Sequence, residues 1–202
     1  MKTNHKTKDE IQDVIECVAN GGIVAFPTDT VYGLGVVYDN LDALNRLKLS
    51  KGRPENKPIP MMIGNIKQLD EVAYVSDPAR KLVEAFMPGA FTIILKKKNS
   101  VDDAITNGFD TIGVRMPEDD FILEMINTLG KPMLVTSANL SGAPTGITYD
   151  DVNQDFDGRI DMIVAGECKG LLSSTIVSCV DEISIVRVGP ISEEEIRKVL
   201  EG

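Results

Sequence analysis

Apolar residues recur at helical spacing in several segments of the chain. In Asp9–Asn20 they occupy one face, and a Gly-Gly pair follows as a stop signal. Glu118–Leu129 has the same period, and Gly130 behind it favours a C-terminal cap. Ser192 and Glu195 have the spacing of a capping box. The pattern predicts helices over Asp9–Asn20, about Asn40–Ser50, Asp77–Phe86, Glu118–Leu129, and from Ser192 onward.

Short apolar runs bounded by Gly, Pro or charged residues alternate with these helices. This alternation, with strand pairs within it, predicts the α/β class: a single domain with a twisted mixed β-sheet and flanking helices. Met1–Lys8 is polar and basic, so residues 1–8 are expected to form a flexible N-terminus before a domain over 9–202. The predicted strands are Ile23–Phe26, Ile59–Ile63, Thr92–Leu95, Thr111–Val114, Met133–Thr136, Ile160–Val164, Thr175–Val180 and Ile183–Val188.

Composition and charge narrow the classes of function. The 202 residues carry a formal net charge of −10, which opposes non-specific binding of a long polyanion. No window approaches the roughly 18 consecutive apolar residues of a membrane span, so we expect no membrane insertion. The three cysteines are far apart and lack metal-ligand spacing, which favours a reducing compartment. We therefore expect a cytoplasmic protein.

A dense set of polar groups follows the first predicted strand. The segment Pro27–Gly35 brings two threonine hydroxyls, a carboxylate and a phenol close together. Loops at strand ends are where open α/β sheets bind ligands, so the segment is a candidate binding loop. A turn with capping side chains is the alternative interpretation. Tyr32 is a candidate for the pocket wall and equally for a half-buried core position.

A cluster of basic residues lies between Arg46 and Pro58 in this acidic chain. Lys51 and Arg53 flank Gly52, and in an extended backbone both side chains would point to one side while the glycine lets a phosphate approach. A bidentate Arg and a point-charge Lys suit phosphate oxygens. The alternative is a solvated basic helix end, since cations are favourable at a helix C-terminus.

A third polar segment, Val135–Pro144, follows another predicted strand. Ser137 and Asn139 alternate around Ala138 and would face the same side of an extended backbone. A hydroxyl and a carboxamide in that arrangement suit a phosphate, a magnesium ion or an adenine edge. A turn rich in Asn and Ser is the competing interpretation.

Several catalytic schemes are excluded by what the sequence lacks. It has no Gly-Lys-Ser/Thr phosphate loop, and Gly33-Leu34-Gly35 lacks the third glycine of a dinucleotide fingerprint. His5 is the one histidine, so a Ser-His-Asp triad and a histidine-built metal site are not available. Catalysis would depend on positioning and on cationic stabilisation of phosphate.

Taken in this order, the three segments resemble the YrdC-like family of threonylcarbamoyl-adenylate synthases. The resemblance runs from about Ile11 to Ile196 and is strengthened by four further segments. It implies a twisted mixed sheet with helices around it and a concave basic pocket. Longer members append a second domain, and this chain resembles the short, single-domain form. The further matching segments are Phe86–Thr92, Thr111–Pro117, Ser174–Val177 and Arg187–Pro190.

The resemblance implies synthesis of L-threonylcarbamoyladenylate and pyrophosphate from L-threonine, bicarbonate and ATP. This nucleotidyl transfer is the first step in forming N6-threonylcarbamoyladenosine in tRNA, and the product would pass to the tRNA threonylcarbamoyl transferase complex. Mg²⁺ is expected to arrive with ATP, because it usually keeps waters and binds through phosphates. No protein metal ligand is therefore predicted.

The resemblance also implies roles for single residues. Lys51 and Arg53 would be catalytic, stabilising charge at the α-phosphate. Arg115 suits an amino-acid carboxylate on physical grounds as well. The implied ATP-binding residues are Lys51, Arg53, Thr111, Ser137, Asn139 and Arg187, and the implied threonine-binding residues are Thr28, Arg115 and Ser174.

The sequence departs from the family pattern at two places. Some relatives have a histidine where this chain has Met62, so that contact with the amino acid is missing. The stretch Gly170–Thr175 is one residue longer than usual, which leaves Ser173 and Ser174 as alternatives in the threonine pocket.

Two rival functions share the same expected fold. One is an RNA-binding module without adenylation activity, with binding that is weak or local because of the net charge. The other is an adenylate-handling enzyme that acts on carbamoyl phosphate, as the related domain in hydrogenase maturation does.

Overall fold

The computed structural model describes residues 2–52 and 58–202. Over these residues the chain forms eleven strands: β1 (Asn4–Thr7), β2 (Val24–Phe26), β3 (Gly33–Val37), β4 (Met61–Met62), β5 (Ala73–Tyr74), β6 (Phe91–Lys97), β7 (Thr111–Arg115), β8 (Met133–Ser137), β9 (Met162–Ala165), β10 (Thr175–Ser178) and β11 (Ser184–Arg187). They form one mixed sheet with the order β1-β9-β2-β3-β8-β4-β7-β6-β10-β11, and β5 pairs with the end of β6.

Seven α-helices and a short 3-10 helix over Lys8–Glu10 complete the described fold. The α-helices are α1 (Ile11–Ala19), α2 (Leu41–Lys51), α3 (Ile66–Val72), α4 (Asp77–Phe86), α5 (Asp120–Leu129), α6 (Tyr149–Phe156) and α7 (Glu193–Glu201). The predicted α/β class with a mixed sheet is confirmed.

Capping residues explain where the predicted helices begin and end. Asp119 accepts a hydrogen bond from the backbone N–H of Ile122, and Gly130 ends α5 in the left-handed conformation with φ 70°. Ser192 and Glu195 form the predicted capping box at the start of α7. Each of these helices lies within about two residues of its predicted bounds.

The alternation of side chains along the central strands divides the core into two layers. On β8, Leu134 belongs to the layer that packs under α2, α3, α4, α6 and α7. Its neighbours Met133 and Val135 belong to the other layer, which packs under α1 and α5. Because successive strand residues point to opposite faces, each strand contributes to both layers. Helices α1 and α5 cover only part of this face of the sheet, and a cavity lies over the uncovered part.

The structure differs from the sequence predictions near the N-terminus and in the segment after the first predicted strand. Residues 1–8 were expected to form a flexible N-terminus, but Asn4–Thr7 pairs in parallel with β9 at the edge of the sheet. Gly33–Val37 is a buried strand, although its first three residues belong to Pro27–Gly35, which was expected to be a loop. Gly35 fits there because an added Cβ would come within 3.0 Å of Met133 and 3.1 Å of Val135. Helices α3 and α6 were not predicted.

Within the described ranges, none of the helices combines the length and the apolar character that crossing a membrane would require.

Candidate active site

A cavity of about 260 Å³ lies over the part of the sheet face that α1 and α5 leave uncovered. Its wall is built by adjacent strands and by the loop that follows β2. Two arginines and no Asp or Glu are among its described lining residues. The lining residues are Thr28, Thr30, Val31, Tyr32, Gly33, Pro58, Pro60, Met61, Met62, Thr92, Arg115, Val135, Thr136, Ser137, Ser173, Ser174, Ile176 and Arg187.

The loop after β2 is closed by its own threonine side chains. Thr28 is buried, and its hydroxyl donates to the carbonyl of Val31 at 2.8 Å. The same oxygen accepts from the backbone N–H of Thr30 and lies 3.0 Å from the Thr30 hydroxyl. These bonds are those of a tight turn. The alternative interpretation from the sequence, a turn with capping side chains, therefore describes the shape of the loop. The loop also lines the cavity, so it remains a candidate binding loop.

Arg115 is held rigidly at the end of β7. Its guanidinium donates to Asp29 Oδ1 at 2.5 Å, to the Thr30 hydroxyl at 2.8 Å and to the carbonyl of Gly89 at 3.2 Å. Asp29 uses its other oxygen to accept from the backbone N–H of Glu118 at 3.1 Å. Burial lowers the pKa of Arg115, and the neighbouring Asp29 carboxylate opposes that shift. The guanidinium has further N–H donors for a ligand in the cavity.

Ser174 connects two parts of the wall. Its hydroxyl lies 2.7 Å from the hydroxyl of Thr92, and both side chains are buried. Arg187 donates to the carbonyl of Ser174 at 2.8 Å and 3.0 Å and to its hydroxyl at 3.2 Å. Burial, and after it the nearby charge of Arg115, lower the pKa of Arg187. A second guanidinium is therefore fixed on the cavity wall.

A β-bulge turns Arg187 toward the cavity. Ile176 pairs with Arg187, but the next residue, Val177, pairs with Ile185, so Val186 is an extra residue in β11. Residues directly opposite each other in a sheet share a face. Arg187 therefore lies on the cavity face with Ile176, while Ile185 lies on the core face with Val177. Without the extra residue, Arg187 and Ile185 would share one face.

The prediction of an extended basic segment is wrong at Lys51, which is helical. It is the last residue of α2, and Gly52 follows in the left-handed conformation with φ 59°. The alternative of a solvated helix end also fails, because Lys51 is only 2% exposed. Its ammonium donates to the backbone carbonyls of Ser137 and, at 2.7 Å, of Asn139. Lys51 thereby fastens the segment after β8 beside the cavity.

Ser137 and Asn139 meet as the sequence spacing predicted. The Ser137 hydroxyl donates to Asn139 Oδ1 at 2.6 Å, and the Asn139 amide donates to the carbonyls of Leu140 and Ala143. Ser137 lines the cavity, whereas Asn139 supports it from behind. The Asn- and Ser-rich turn therefore exists and presents Ser137 to the cavity.

The predicted residues are not all brought together. Thr28, Arg115, Ser137, Ser174 and Arg187 line one cavity. Thr111 lies at the other end of β7 from Arg115, paired with Lys96, and is not part of the cavity wall. Arg53 lies outside the described residues. Ser173 and Ser174, the two alternatives for the threonine pocket, both line the cavity. Among the described residues, Ser174 forms a hydrogen bond with another lining side chain, that of Thr92, and Ser173 does not.

Two further positions from the sequence analysis, Tyr32 and Met62, also line the cavity. Tyr32 lines the cavity yet is fully buried, and its hydroxyl lies 2.9 Å from the carbonyl of Gly166 and 3.1 Å from that of Val164. Burial raises the pKa of the Tyr32 phenol. Met62 pairs with Arg115 in the sheet and adds an apolar side chain to the cavity wall. Thr92 is a polar lining residue to which sequence reasoning assigned no role, because a threonine inside a strand carries no signal of its own.

Among residues 2–52 and 58–202 no cluster of three or more His, Cys, Asp or Glu side chains could hold a metal ion.

The Sua5–YciO–YrdC family model, described as telomere recombination, matches residues 16–189. Several relatives carry the name threonylcarbamoyl-AMP synthase. That of Bacillus subtilis (strain 168) is 40% identical over 182 residues, covering 88% of this chain and 53% of the relative. That of Vibrio parahaemolyticus is 32% identical over 166 residues, covering 80% of this chain and 89% of the relative.

A solved structure shares the fold closely. The crystal structure of P. abyssi Sua5 complexed with L-threonine superposes with a TM-score of 0.91 at 33% identity, covering 98% of this chain and 60% of that one. The chain spans about half the length of the curated relatives from B. subtilis and Pyrococcus abyssi, of which it covers 53% and 55%.

Proposed function

Since the chain belongs to the Sua5–YciO–YrdC family, we propose that it makes L-threonylcarbamoyladenylate and pyrophosphate from L-threonine, bicarbonate and ATP. The names of its relatives and the threonine complex of P. abyssi Sua5 support this activity. The observation that carries the proposal is a single cavity with the Arg115 guanidinium on one strand and the Arg187 guanidinium on another. Such a cavity suits a substrate pair with two separate anionic groups.

The chemistry requires two bond-forming steps. The neutral amine of threonine attacks the carbon of bicarbonate, and the hydroxyl of bicarbonate leaves as water with one proton of the amine. A carbamate oxygen then attacks the α-phosphate of ATP, and pyrophosphate leaves with the electrons of the broken P–O bond. Neither step needs a covalent bond to the protein, which agrees with the lack of a nucleophile–histidine pair in the sequence.

The threonine end of the site is assigned to Arg115, Thr28 and Ser174. The remaining N–H donors of Arg115 would bind the carboxylate in the planar geometry that guanidinium groups favour. Its bonds to Asp29, Thr30 and Gly89 fix the plane before the ligand arrives, so little freedom is lost on binding. Thr28 lines the same part of the cavity. Met62 would supply an apolar contact for the side chain.

The ATP end is assigned to Lys51, Ser137, Asn139 and Arg187. Lys51 places a buried positive charge behind Ser137, where it favours the phosphates electrostatically. Asn139 holds the Ser137 hydroxyl in place. Arg53 and Thr111 stay assigned to ATP only by the resemblance, since one lies outside the described residues and the other outside the cavity wall.

Magnesium enters the proposal as part of the substrate, Mg·ATP. We also propose that the product passes to the tRNA threonylcarbamoyl transferase complex and that the protein is cytoplasmic. The RNA-binding alternative is not favoured by the relatives' names. If RNA binding were the principal role, affinity would be strong without ATP and would fall steeply with salt.

Pyrophosphate release tests the proposed activity. Purified protein receives Mg·ATP with bicarbonate and either threonine, serine, valine or no amino acid, and each mixture is repeated in CO₂-free buffer. We expect release only when threonine and bicarbonate are both present. Release that is independent of either one would contradict the proposal.

A further inference from the structure

The Thr92 and Ser174 hydroxyls leave one hydrogen for a ligand. A guanidinium only donates, so the Ser174 oxygen accepts from Arg187 at 3.2 Å. The contact between Thr92 and Ser174, at 2.7 Å, uses the hydrogen of one of these hydroxyls. The other O–H has no acceptor among the described residues, although both side chains are more than nine-tenths buried on the cavity wall. A buried donor without a partner is costly, so a ligand acceptor is expected there.

Strand order places this hydroxyl pair between the two arginines. Arg115 is on β7, Thr92 on β6 and Arg187 on β11, with β10 between the last two. Ile93 pairs with Val114, so Thr92 comes opposite Arg115. Ile176 of β10 pairs with Thr92 on one side and with Arg187 on the other. The row Arg115, Thr92, Ile176, Arg187 therefore crosses four neighbouring strands, and Ser174 lies two residues before Ile176 on the same face.

Resting on the proposed function, we propose that Thr92, Ser174 and Arg187 form the subsite for bicarbonate and for the carboxylate of the carbamate made from it. Bicarbonate is a small planar oxyanion that only needs donors for its charged oxygens. The free hydroxyl hydrogen and the guanidinium of Arg187 supply two donors at one place, one of them charged. The subsite gives one hydroxyl of the Thr92–Ser174 pair a direct contact with substrate, and the other hydroxyl orients it.

The order of the subsites matches the order of bonds in the product. Threonylcarbamoyladenylate runs from the threonine carboxylate through nitrogen and the carbonyl carbon to the α-phosphate. The cavity wall runs from Arg115 through the hydroxyl pair to Arg187. Bicarbonate held in the middle has the threonine amine on one side and the phosphate on the other. As the amine attacks and water leaves, the carbamate oxygens keep the same donors and already face the phosphate.

Thr92→Val tests the subsite, because valine keeps the shape of threonine and removes its hydroxyl. Thr92→Ser restores the hydroxyl. Thr106→Val is a matched control, since Thr106 is also buried and donates to the carbonyl of Phe109 at 2.7 Å, but it is not in the cavity wall. Initial rates of pyrophosphate release are measured against bicarbonate, threonine and ATP separately in CO₂-free buffer, and the Tm of each variant is recorded.

We expect Thr92→Val to raise the KM for bicarbonate about ten- to hundredfold, the size of one lost hydrogen bond to a charged group. The KM values for threonine and ATP should change by less than about threefold, and Thr92→Ser and Thr106→Val should keep the wild-type KM for bicarbonate. An unchanged KM for bicarbonate in Thr92→Val, an equal rise for all three substrates, or inactivity that no bicarbonate concentration relieves would overturn the subsite. A wild-type protein that releases no pyrophosphate would instead overturn the proposed function.

Discussion

Asp29 accepts a hydrogen bond from the Arg115 guanidinium at 2.5 Å, and the two side chains are only 7% and 9% exposed. The Asp29 carboxylate balances the buried positive charge of Arg115 and fixes the orientation of its guanidinium. It also keeps Asp29 itself off the cavity wall, where a carboxylate would repel an anionic ligand. The relationship joins a turn residue of the first motif to a strand residue far along the chain.

Asp29→Asn should weaken both the fold and threonine binding. It leaves the Arg115 charge buried without its partner, and removing one member of a buried pair costs about 3 to 5 kcal/mol of unfolding free energy. We expect a higher KM for threonine at unchanged KM for ATP, measured by pyrophosphate release, together with a lower midpoint in urea. Asp39→Asn is the control, because the Asp39–Lys131 pair at 2.6 Å is 38% and 52% exposed. Loss of the Asp39–Lys131 pair should lower the free energy of unfolding by less than about 1 kcal/mol. Equal effects of the two substitutions would contradict this account of Asp29.

Lys51→Met should depress the use of ATP. Methionine approximates the length of the lysine stem but cannot donate to the carbonyls of Ser137 and Asn139. The segment after β8 would lose its attachment and the ATP end its buried positive charge, so kcat/KM for ATP should fall by at least about tenfold. Lys81→Met, on the exposed face of α4, is the control and should keep wild-type rates. A Lys51→Met enzyme with wild-type kcat/KM would remove Lys51 from the site.

Gly189→Ala should be far more damaging than Gly113→Ala. A Cβ at Gly189 would lie 2.5 Å from the Ser173 carbonyl oxygen and 2.7 Å from the Ser174 carbonyl carbon. These are backbone atoms, so the serine segment must shift, at a cost of about 1 to 3 kcal/mol and with lost activity. A Cβ at Gly113 would meet Pro60 and Thr92 at 3.6 to 3.7 Å, which is ordinary contact. Thermal unfolding of both variants measures the difference, and a Gly189→Ala protein with wild-type Tm would contradict it.

Alkaline pH should destabilise the fold through partly buried thiols. Burial raises the pKa of both Cys17 and Cys179 to about 11, above the value of about 8.5 in an unfolded chain. The unfolded state therefore loses these protons first, and stability falls as pH rises from about 8.5 toward 11. Replacing both cysteines with serine should flatten this part of the urea-midpoint profile. Cys17→Ser alone should leave turnover unchanged, since Cys17 is not in the cavity wall. A profile of the same slope in both proteins would exclude the thiols as its cause.

The sequence predicted those parts of the fold in which local pattern and tertiary packing agree. Helix α4 has its predicted bounds, Asp77–Phe86, because its apolar face and its first-turn proline act locally. Strand β1 was missed because Asn4–Thr7 is polar and forms only by pairing with β9. Strand β3 was missed because Gly33 and Gly35 have low strand propensity, yet close packing against Phe26 and Val135 requires glycine there.

The candidate site was predictable to a similar extent. The motif segments supplied most of the residues that line the cavity, including Thr28, Ser137 and Ser174. The spacing of Lys51 and Arg53 suggested an extended strand, but the helical pattern continues through Lys51. The orientation of Arg187 depends on a bulge that only strand pairing reveals. Thr92 was missed because its significance comes from its contact with Ser174 across the sheet.

The most direct test of the proposed activity is the identity of the product formed from isotope-labelled bicarbonate, followed by mass spectrometry alongside pyrophosphate release. The account predicts a threonine adenylate whose mass includes the labelled carbon, formed in step with pyrophosphate and absent when threonine is omitted. An adenylate without the label, or pyrophosphate released without any threonine adduct, would contradict it.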